Sequence, residues 1–407
     1  MMATRFNRRS VAVPARLVAL GFAGLVLASC AGSTLDTLGI TPSQDPTPPT
    51  QQQAGDVIGA GSVKIALLLP LTSANGEVVA QSLRNAAELA IQDFSGGNPA
   101  NQNIQILVKD DRGTPEGARA AAQEALQQGA ELILGPLFGP NVQAVSAIAR
   151  PAGKPMIAFS SDAGVAQRGV YLLSFLPQSD VQRVVNFAAS RGKKAFAGLV
   201  PQTAYGSVVE AEFMSVANQQ GRRVTSVERY QPGNPASMAA AATKLKASIA
   251  ASDTLFIGEG ADGLGAVMQA LSSAGITARQ VQFISTGIWN DPRATGLAAL
   301  DGAWFAAPDN SRFNQLAGRY QQRYGSAPTR LATLSYDAVT LASALTQAYG
   351  TQRFAESNLL NPNGFAGQDG VFRFRQNGLN DRGIAVFEIR SGTARAISAA
   401  PNSFAGN

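Results

Sequence analysis

The chain of 407 residues contains no histidine and a single cysteine. Without histidine there is no Ser-His-Asp or Cys-His triad, no histidine-ligated zinc and no imidazole acid–base chemistry. One cysteine excludes an internal disulfide and a thiolate metal cluster. Charged residues make up only 15% of the chain and aromatic residues 7%, whereas apolar residues reach 45%. That is the composition of a folded protein with a real core. Lys+Arg (33) exceeds Asp+Glu (27) by little. Four of the positive charges, Arg5, Arg8, Arg9 and Arg16, fall in the first 29 residues, which contain no acid, so the remainder carries about +2. The electrostatic argument for nucleic-acid binding therefore falls away. Together these absences favour a binding protein over an enzyme, with no metal and no cofactor implied.

The amino-terminal segment reads as an address. Leu17 to Ala28, LVALGFAGLVLA, is uncharged and apolar. It is shorter than the roughly 18 residues needed to span a bilayer and has signal-peptide form. It ends in Leu27-Ala28-Ser29-Cys30. This resembles a bacterial lipoprotein signal, which implies removal of residues 1–29 and lipidation of Cys30, the only cysteine. Arg8-Arg9 reads as ordinary charge ahead of the apolar stretch. By resemblance to Gram-negative sorting signals, Ala31 in place of an aspartate leans towards the outer membrane. Residues 30–62 then read as lipidated Cys30 followed by a linker. Its stretch ITPSQDPTPPTQQQ (40–53) has too few large apolar residues to bury a core. A protein held to the membrane by several acyl chains, facing the periplasm, is the expectation. No other segment reads as a span.

From Val63 the pattern alternates. Strands are predicted at 63–69, 104–108, 132–134 and 156–159, then at 195–200, 224–230, 254–257 and 282–285. Helices are predicted between them, the first from Val79, Leu83, Ala86, Ala87, Ala90 and Phe94 on one face. Another opens at Thr114-Pro115-Glu116, with a cap, a proline at the first position and an acid in the first turn. Two runs of four βα units predict an α/β protein with two Rossmann-like lobes, each with a parallel sheet, joined by a hinge. The expected division is 63–176 plus 287–350 for lobe 1 and 177–286 plus 351–397 for lobe 2, with 398–407 as a tail. Helices near 310–324 and 332–349 and strands around 370–374 and 384–389, flanked by Asn-Gly-type turn signals, complete the lobes. Ligands of such sheets lie beyond the carboxyl ends of the strands, which with two facing lobes means an interlobe cleft.

The segments VKIALLLPLT, KDDRGTPEGA, ILGPLFGPNV, TAYGSVVEAEF and GVFRFRQNG…FEIRSG resemble, in order and spacing, type I periplasmic binding proteins of the leucine-binding kind. The resemblance spans roughly residues 63–397. It implies closure of two lobes on an amino acid or similar small polar ligand, delivered to an ABC permease. A second resemblance, over YLLSFLPQSDVQRVVNFAASRGKKAFAGLVPQTAYGSVV (171–209), is to the carboxy-terminal domain of lipoprotein activators of penicillin-binding proteins. It implies, alternatively, an outer-membrane regulator of peptidoglycan synthesis whose partner is a penicillin-binding protein. The helical-repeat domain of those activators has no counterpart ahead of Val63.

The leucine-binding resemblance implies a set of ligand contacts. Tyr205 matches a tyrosine lining the cleft. Gly139 stands where a serine usually meets the ligand carboxylate, and Ser160, Ser161 and Asp162 follow the fourth strand. Gly287 stands where a glutamate usually faces the ligand ammonium. Two expected polar anchors are thus absent, and an unpaired buried head group is costly. Asp162 or Glu259 could instead meet a cation. Phe138 and Trp289 complete the candidates: Phe138 as cleft lining or core, Trp289 as cleft wall, partner surface or interlobe packing. Ser160–Asp162 also read as a helix-capping cluster, and Asp110-Asp111 as loop or capping residues.

Two formal motifs carry no chemistry. Gly258-Glu259-Gly260-Ala261-Asp262-Gly263 matches G-x-G-x-x-G but lies late in its lobe. Its Glu259 would repel a pyrophosphate, and no acid ends the next strand. Ser190-Arg191-Gly192-Lys193 matches S-x-x-K at a helix end, without its companion motifs.

Overall fold

The computed structural model describes residues 56–404. The apolar segment 17–28, Cys30 and residues 31–55 of the expected linker lie outside the described residues. The first sheet contains β1 (Val57–Ile58), β2 (Val63–Leu69), β3 (Ile104–Asp110), β4 (Leu132–Leu134), β5 (Met156–Ala158) and β6 (Val170–Leu172), in the order β1-β3-β2-β4-β5-β6. All pairings are parallel except β1 with β3. The end of the expected linker is therefore structured: Val57 and Ile58 pair with Leu107 and Ile106, satisfying an edge that would otherwise present unpaired backbone groups. Helices α1 (Glu77–Phe94), α2 (Pro115–Gln127) and α3 (Gly139–Ala149) cover the faces. Leu83, Ala86, Ala87 and Ala90 of the predicted face are fully buried, as is Ala80, whereas Val79 and Phe94 are half-buried at its edges. Thr114 caps α2 as expected, its hydroxyl accepting from the Gly117 amide at 3.1 Å.

The second lobe begins with α4 (Pro177–Ser190). It continues through β7 (Ala195–Pro201), α5 (Ala204–Gln219), β8 (Arg223–Tyr230), α6 (Pro235–Ile249), β9 (Thr254–Ile257), α7 (Ala261–Ser273) and β10 (Gln282–Ser285). The short α8 (Pro292–Thr295) and then β11 (Trp304–Ala307) follow. The chain next returns to the first lobe with α9 (Ser311–Tyr324), α10 (Ala332–Tyr349) and α11 (Glu356–Leu359). A small antiparallel sheet, β12 (Phe365–Gly367), β13 (Gly370–Phe374) and β14 (Asn380–Arg382), lies beside them. Finally β15 (Ala385–Arg390) and β16 (Thr393–Ser398) join the second sheet, whose order is β16-β15-β11-β10-β9-β7-β8.

Chain assignment departs from the sequence expectation at two segments. Residues 287–307 belong with the second lobe, because β11 pairs in parallel with β10 and antiparallel with β15. Residues 351–382 belong with the first, where Phe372 and Phe374 share a core with α1, α9 and α10. Element order is local information, whereas sheet membership is fixed by non-local pairing.

Residues 399–404 are not a free tail. Arg183 on α4 donates to the Ser398 hydroxyl at 2.7 Å and the Ala399 carbonyl at 3.2 Å. The chain then passes Gly383 and buries Phe404 against Gly364 and the Arg373 guanidinium, 4.6 Å from the ring centre. The segment 399–404 is thus a fourth passage between the lobes, after those near 173–177, 308–310 and 383–385.

Candidate functional site

The carboxyl ends of the second-lobe strands meet the first lobe near the hinge. There they enclose a cavity of about 440 Å³, lined among others by Phe175, Asp180, Tyr205, Thr286, Phe313 and Arg330. Its size lies within the usual range for small-molecule sites. Each wall has a local cause. The Thr203 hydroxyl caps α5 by accepting from the Gly206 amide at 3.0 Å, which starts the helix one residue before Tyr205. A Cβ at Gly206 would lie 1.9 Å from the Pro201 carbonyl oxygen, so glycine alone lets the first turn sit this close to β7. The Tyr205 hydroxyl thereby reaches the Thr286 hydroxyl at 2.6 Å.

Asp180 arrives from α4. Pro177 occupies the first helical position, and the acid falls in the first turn, where the helix dipole favours it. Its Oδ2 accepts from the Gly287 amide at 2.9 Å. A Cβ on Gly287 would lie 3.0 Å from the same oxygen, so the carboxylate fills the room a side chain at 287 would need. Among the described residues, Oδ1 of Asp180 has no hydrogen-bond partner and the residue is in no salt bridge. Burial pushes the Asp180 carboxyl up to about 7, held back by the Gly287 amide and the Arg382 charge. Burial also raises the Tyr205 phenol, which therefore stays protonated as a donor.

The opposite wall holds two guanidinium groups whose hydrogen bonding is incomplete: Arg330 Nη1 and both terminal nitrogens of Arg382 are buried without a partner among the described residues. Arg330 pairs with Asp369, which is fully buried, and its guanidinium stacks 4.4 Å from the Phe313 ring centre and 5.0 Å from that of Phe175. Arg382, buried behind Phe175 at 4.8 Å, donates from Nε to the Ser174 carbonyl at 3.0 Å. Burial lowers the Arg382 pKa, opposed by Asp369 and Asp337. Asp337 is pushed up to about 8, by burial first and by neighbouring Asp369 second.

Of the residues singled out from sequence, Tyr205 and Gly287 line this cavity. Ser160 and Asp162 form a turn: the Ser160 hydroxyl accepts from the Asp162 amide at 3.1 Å, and Asp162 Oδ1 accepts from the Gly164 amide at 2.9 Å. Asp162 Oδ2 lies 2.8 Å from where a Cβ of Gly139 would stand. Ser161 is exposed and Phe138 half-buried at the start of α3. Glu259 accepts from the Tyr230 hydroxyl, and its carbonyl accepts from the Trp289 indole at 3.0 Å. Trp289 has no exposed surface, so it is second-lobe core rather than cleft wall. Sequence reasoning missed Phe175, Asp180, Phe313 and Arg330. Asp180 reads as an ordinary first-turn acid, and Arg330 lies in a loop without a motif. Asp111, also noted from sequence, is fully buried and accepts from the Gly113 amide at 2.7 Å, a turn role as expected.

Among the described residues no group of metal-ligating side chains and no helix long and apolar enough to cross a membrane is present. A family model described as periplasmic binding protein matches residues 62–394. Solved structures share the fold. One, assigned to a branched-chain amino acid ABC transporter of Rhodospirillum rubrum, is 20% identical with a TM-score of 0.73, covering 82% of this chain and 99% of that one. An ABC transporter substrate-binding protein from Desulfitobacterium hafniense, in complex with Leu, is 19% identical at a TM-score of 0.60, covering 82% and 99%. A solute-binding protein of an ABC transporter from Rhodopseudomonas palustris BisB5, in complex with 3,4-dihydroxybenzoic acid, is 20% identical at 0.56, covering 84% and 98%. No curated protein matches.

Proposed function

The chain belongs to the periplasmic binding protein family, and on that premise we propose that it is the solute-binding component of an ABC-type uptake system. It closes on an amino acid or similar small polar molecule and performs no catalysis. One observation carries this reading: the cavity takes Phe175, Phe313 and Arg330 from one lobe and Asp180, Tyr205 and Thr286 from the other. A ligand touching both walls favours the closed arrangement by its extra contacts there. The similar structures that hold leucine and an aromatic acid support a ligand of this size. In this proposal Cys30 carries the lipid anchor, the folded part faces the periplasm from a membrane that Ala31 suggests is the outer one, and the permease is the partner.

The second reading is an activator of a penicillin-binding protein. It is favoured by one feature: the places of both missing polar anchors, at Gly139 and Gly287, are filled by the carboxylates of Asp162 and Asp180.

A thermal-shift screen of the chain without its first 55 residues, against amino acids, aromatic acids and muropeptides, separates the two. A ligand at about 100 times its Kd adds roughly 2.7 kcal/mol, which should raise Tm by a few degrees. No shift with any small solute, together with co-purification of a penicillin-binding protein, would replace the first reading with the second.

A further inference from the structure

The charge balance around the cavity is uneven. On the first-lobe wall Arg330 is neutralised by Asp369, and Arg382 lies behind the Phe175 ring, 8% exposed. On the second-lobe wall the Asp180 carboxylate spends one oxygen on the Gly287 amide and has no salt-bridge partner among the described residues. The lining it shares is apolar at Phe175, Ile288 and Ala307 and polar at Asn290, Asn310 and Asn314. A carboxylate in such company gains most from a ligand that brings its own positive charge and N–H donors.

Anions meet the reverse situation. The guanidinium nearest the cavity is committed to Asp369, and drawing it off would strip a fully buried aspartate of its partner. The cavity therefore offers an open acceptor to one ammonium group, while the unpartnered Nη1 of Arg330 is buried and its charge is already balanced by Asp369. The walls of Phe175, Phe313 and Ile288 suit an apolar body.

Resting on the solute-binding reading above, we propose that Asp180 is the specificity-determining anchor of the cavity and that the solute it selects is a small amine, a primary ammonium on an apolar body. A carboxylate on the solute is not required.

The test uses two matched sets of probes, titrated calorimetrically into the wild-type chain. One set is leucine, 3-methylbutylamine and 4-methylpentanoate; the other is phenylalanine, 2-phenylethylamine and 3-phenylpropanoate. In the set that binds, the two amine-bearing members should bind at least tenfold more tightly than the acid lacking the amine. Asp180→Asn, whose folding is checked by thermal unfolding, should abolish that preference. Amine affinity should also rise between pH 6 and pH 8 as Asp180 ionises: the groups around it are the charged Arg382, Arg330 paired with Asp369, and the neutral Tyr205 phenol, while Asp337, raised to about 8, ionises behind Arg382, and any rise that persists in Asp180→Asn belongs to Asp337. An acid without the amine binding as tightly as its amine-bearing relatives, or an unchanged preference in Asp180→Asn, overturns the assignment and leaves solute binding standing. If other solutes bind but none of these six does, the amine assignment also falls. Absence of binding by any small solute removes the solute-binding reading itself.

Discussion

The hydroxyl groups of Tyr205 and Thr286 lie 2.6 Å apart, joining the first turn of α5 to the end of β10. Thr286 is almost wholly buried, so its hydroxyl has no water to turn to if the phenol is lost. Tyr205→Phe should cost about 1–2 kcal/mol of stability, the range for a removed hydrogen bond that leaves a buried partner unsatisfied. Thr286→Val should cost a similar amount. The double variant should fall short of the sum, with a coupling of about 0.5–1 kcal/mol read by urea unfolding. Additive losses would mean that the two hydroxyls do not support each other.

Two buried carboxyl groups, Asp111 and Asp337, and the half-buried Asp180 set the pH dependence of stability. Asp111, Asp180 and Asp337 are raised from 3.8 to about 6, 7 and 8, in each case mainly by burial. Between about pH 4 and pH 8 the folded chain therefore holds protons that the unfolded chain has released. Stability contributed this way is complete below the unfolded value and is lost as pH rises through each folded value. Asp291, Asp309 and Glu356 are lowered, so their contribution has the opposite sign and fades only at more acid pH. Denaturant midpoints should thus be highest near pH 4–5 and decline towards pH 8. Asp180→Asn should remove up to about 1.4 kcal/mol per pH unit from that slope below pH 7. A midpoint that climbs steadily from pH 5 to pH 8 would contradict this.

Removing residues 399–407 should weaken the molecule and loosen the relation between its lobes. The deletion exposes the site of Phe404, buried against Arg373 and Gly364, at a cost of about 1.5–3 kcal/mol for one large apolar side chain. Spin labels on cysteines placed at the exposed positions Val78 and Met214, with Cys30 changed to serine, would report the interlobe distance. A broader distribution in the truncated chain is expected. Identical distributions would show that the other three passages alone fix the hinge.

Where the sequence was readable, the cause was local periodicity. Val63–Leu69 is a largely apolar run before a proline, and its last five residues are all without exposed surface. The helix faces followed from their spacing for the same reason. Strands β6 and β11 were not anticipated, although β4, β5, β9 and β10, which are as short, were. The lobe to which 287–307 and 351–382 belong depends on partners far along the chain, which composition does not encode. The site divides in the same way. Tyr205 was legible because it follows a capping threonine in a segment with a known likeness. Asp180 was not, because its meaning depends on the absence of a side chain at Gly287, more than a hundred positions away.

The return of the chain end to Phe404 has a further consequence. Val57 at the start of the described residues and Phe404 at their end both rest on the first lobe. A bead, surface or reporter attached through the carboxyl end would therefore grip the same half of the molecule that the amino-terminal strand belongs to. The first lobe becomes the stator, and the second, held only by internal passages, becomes the rotor whose swing such a measurement would record.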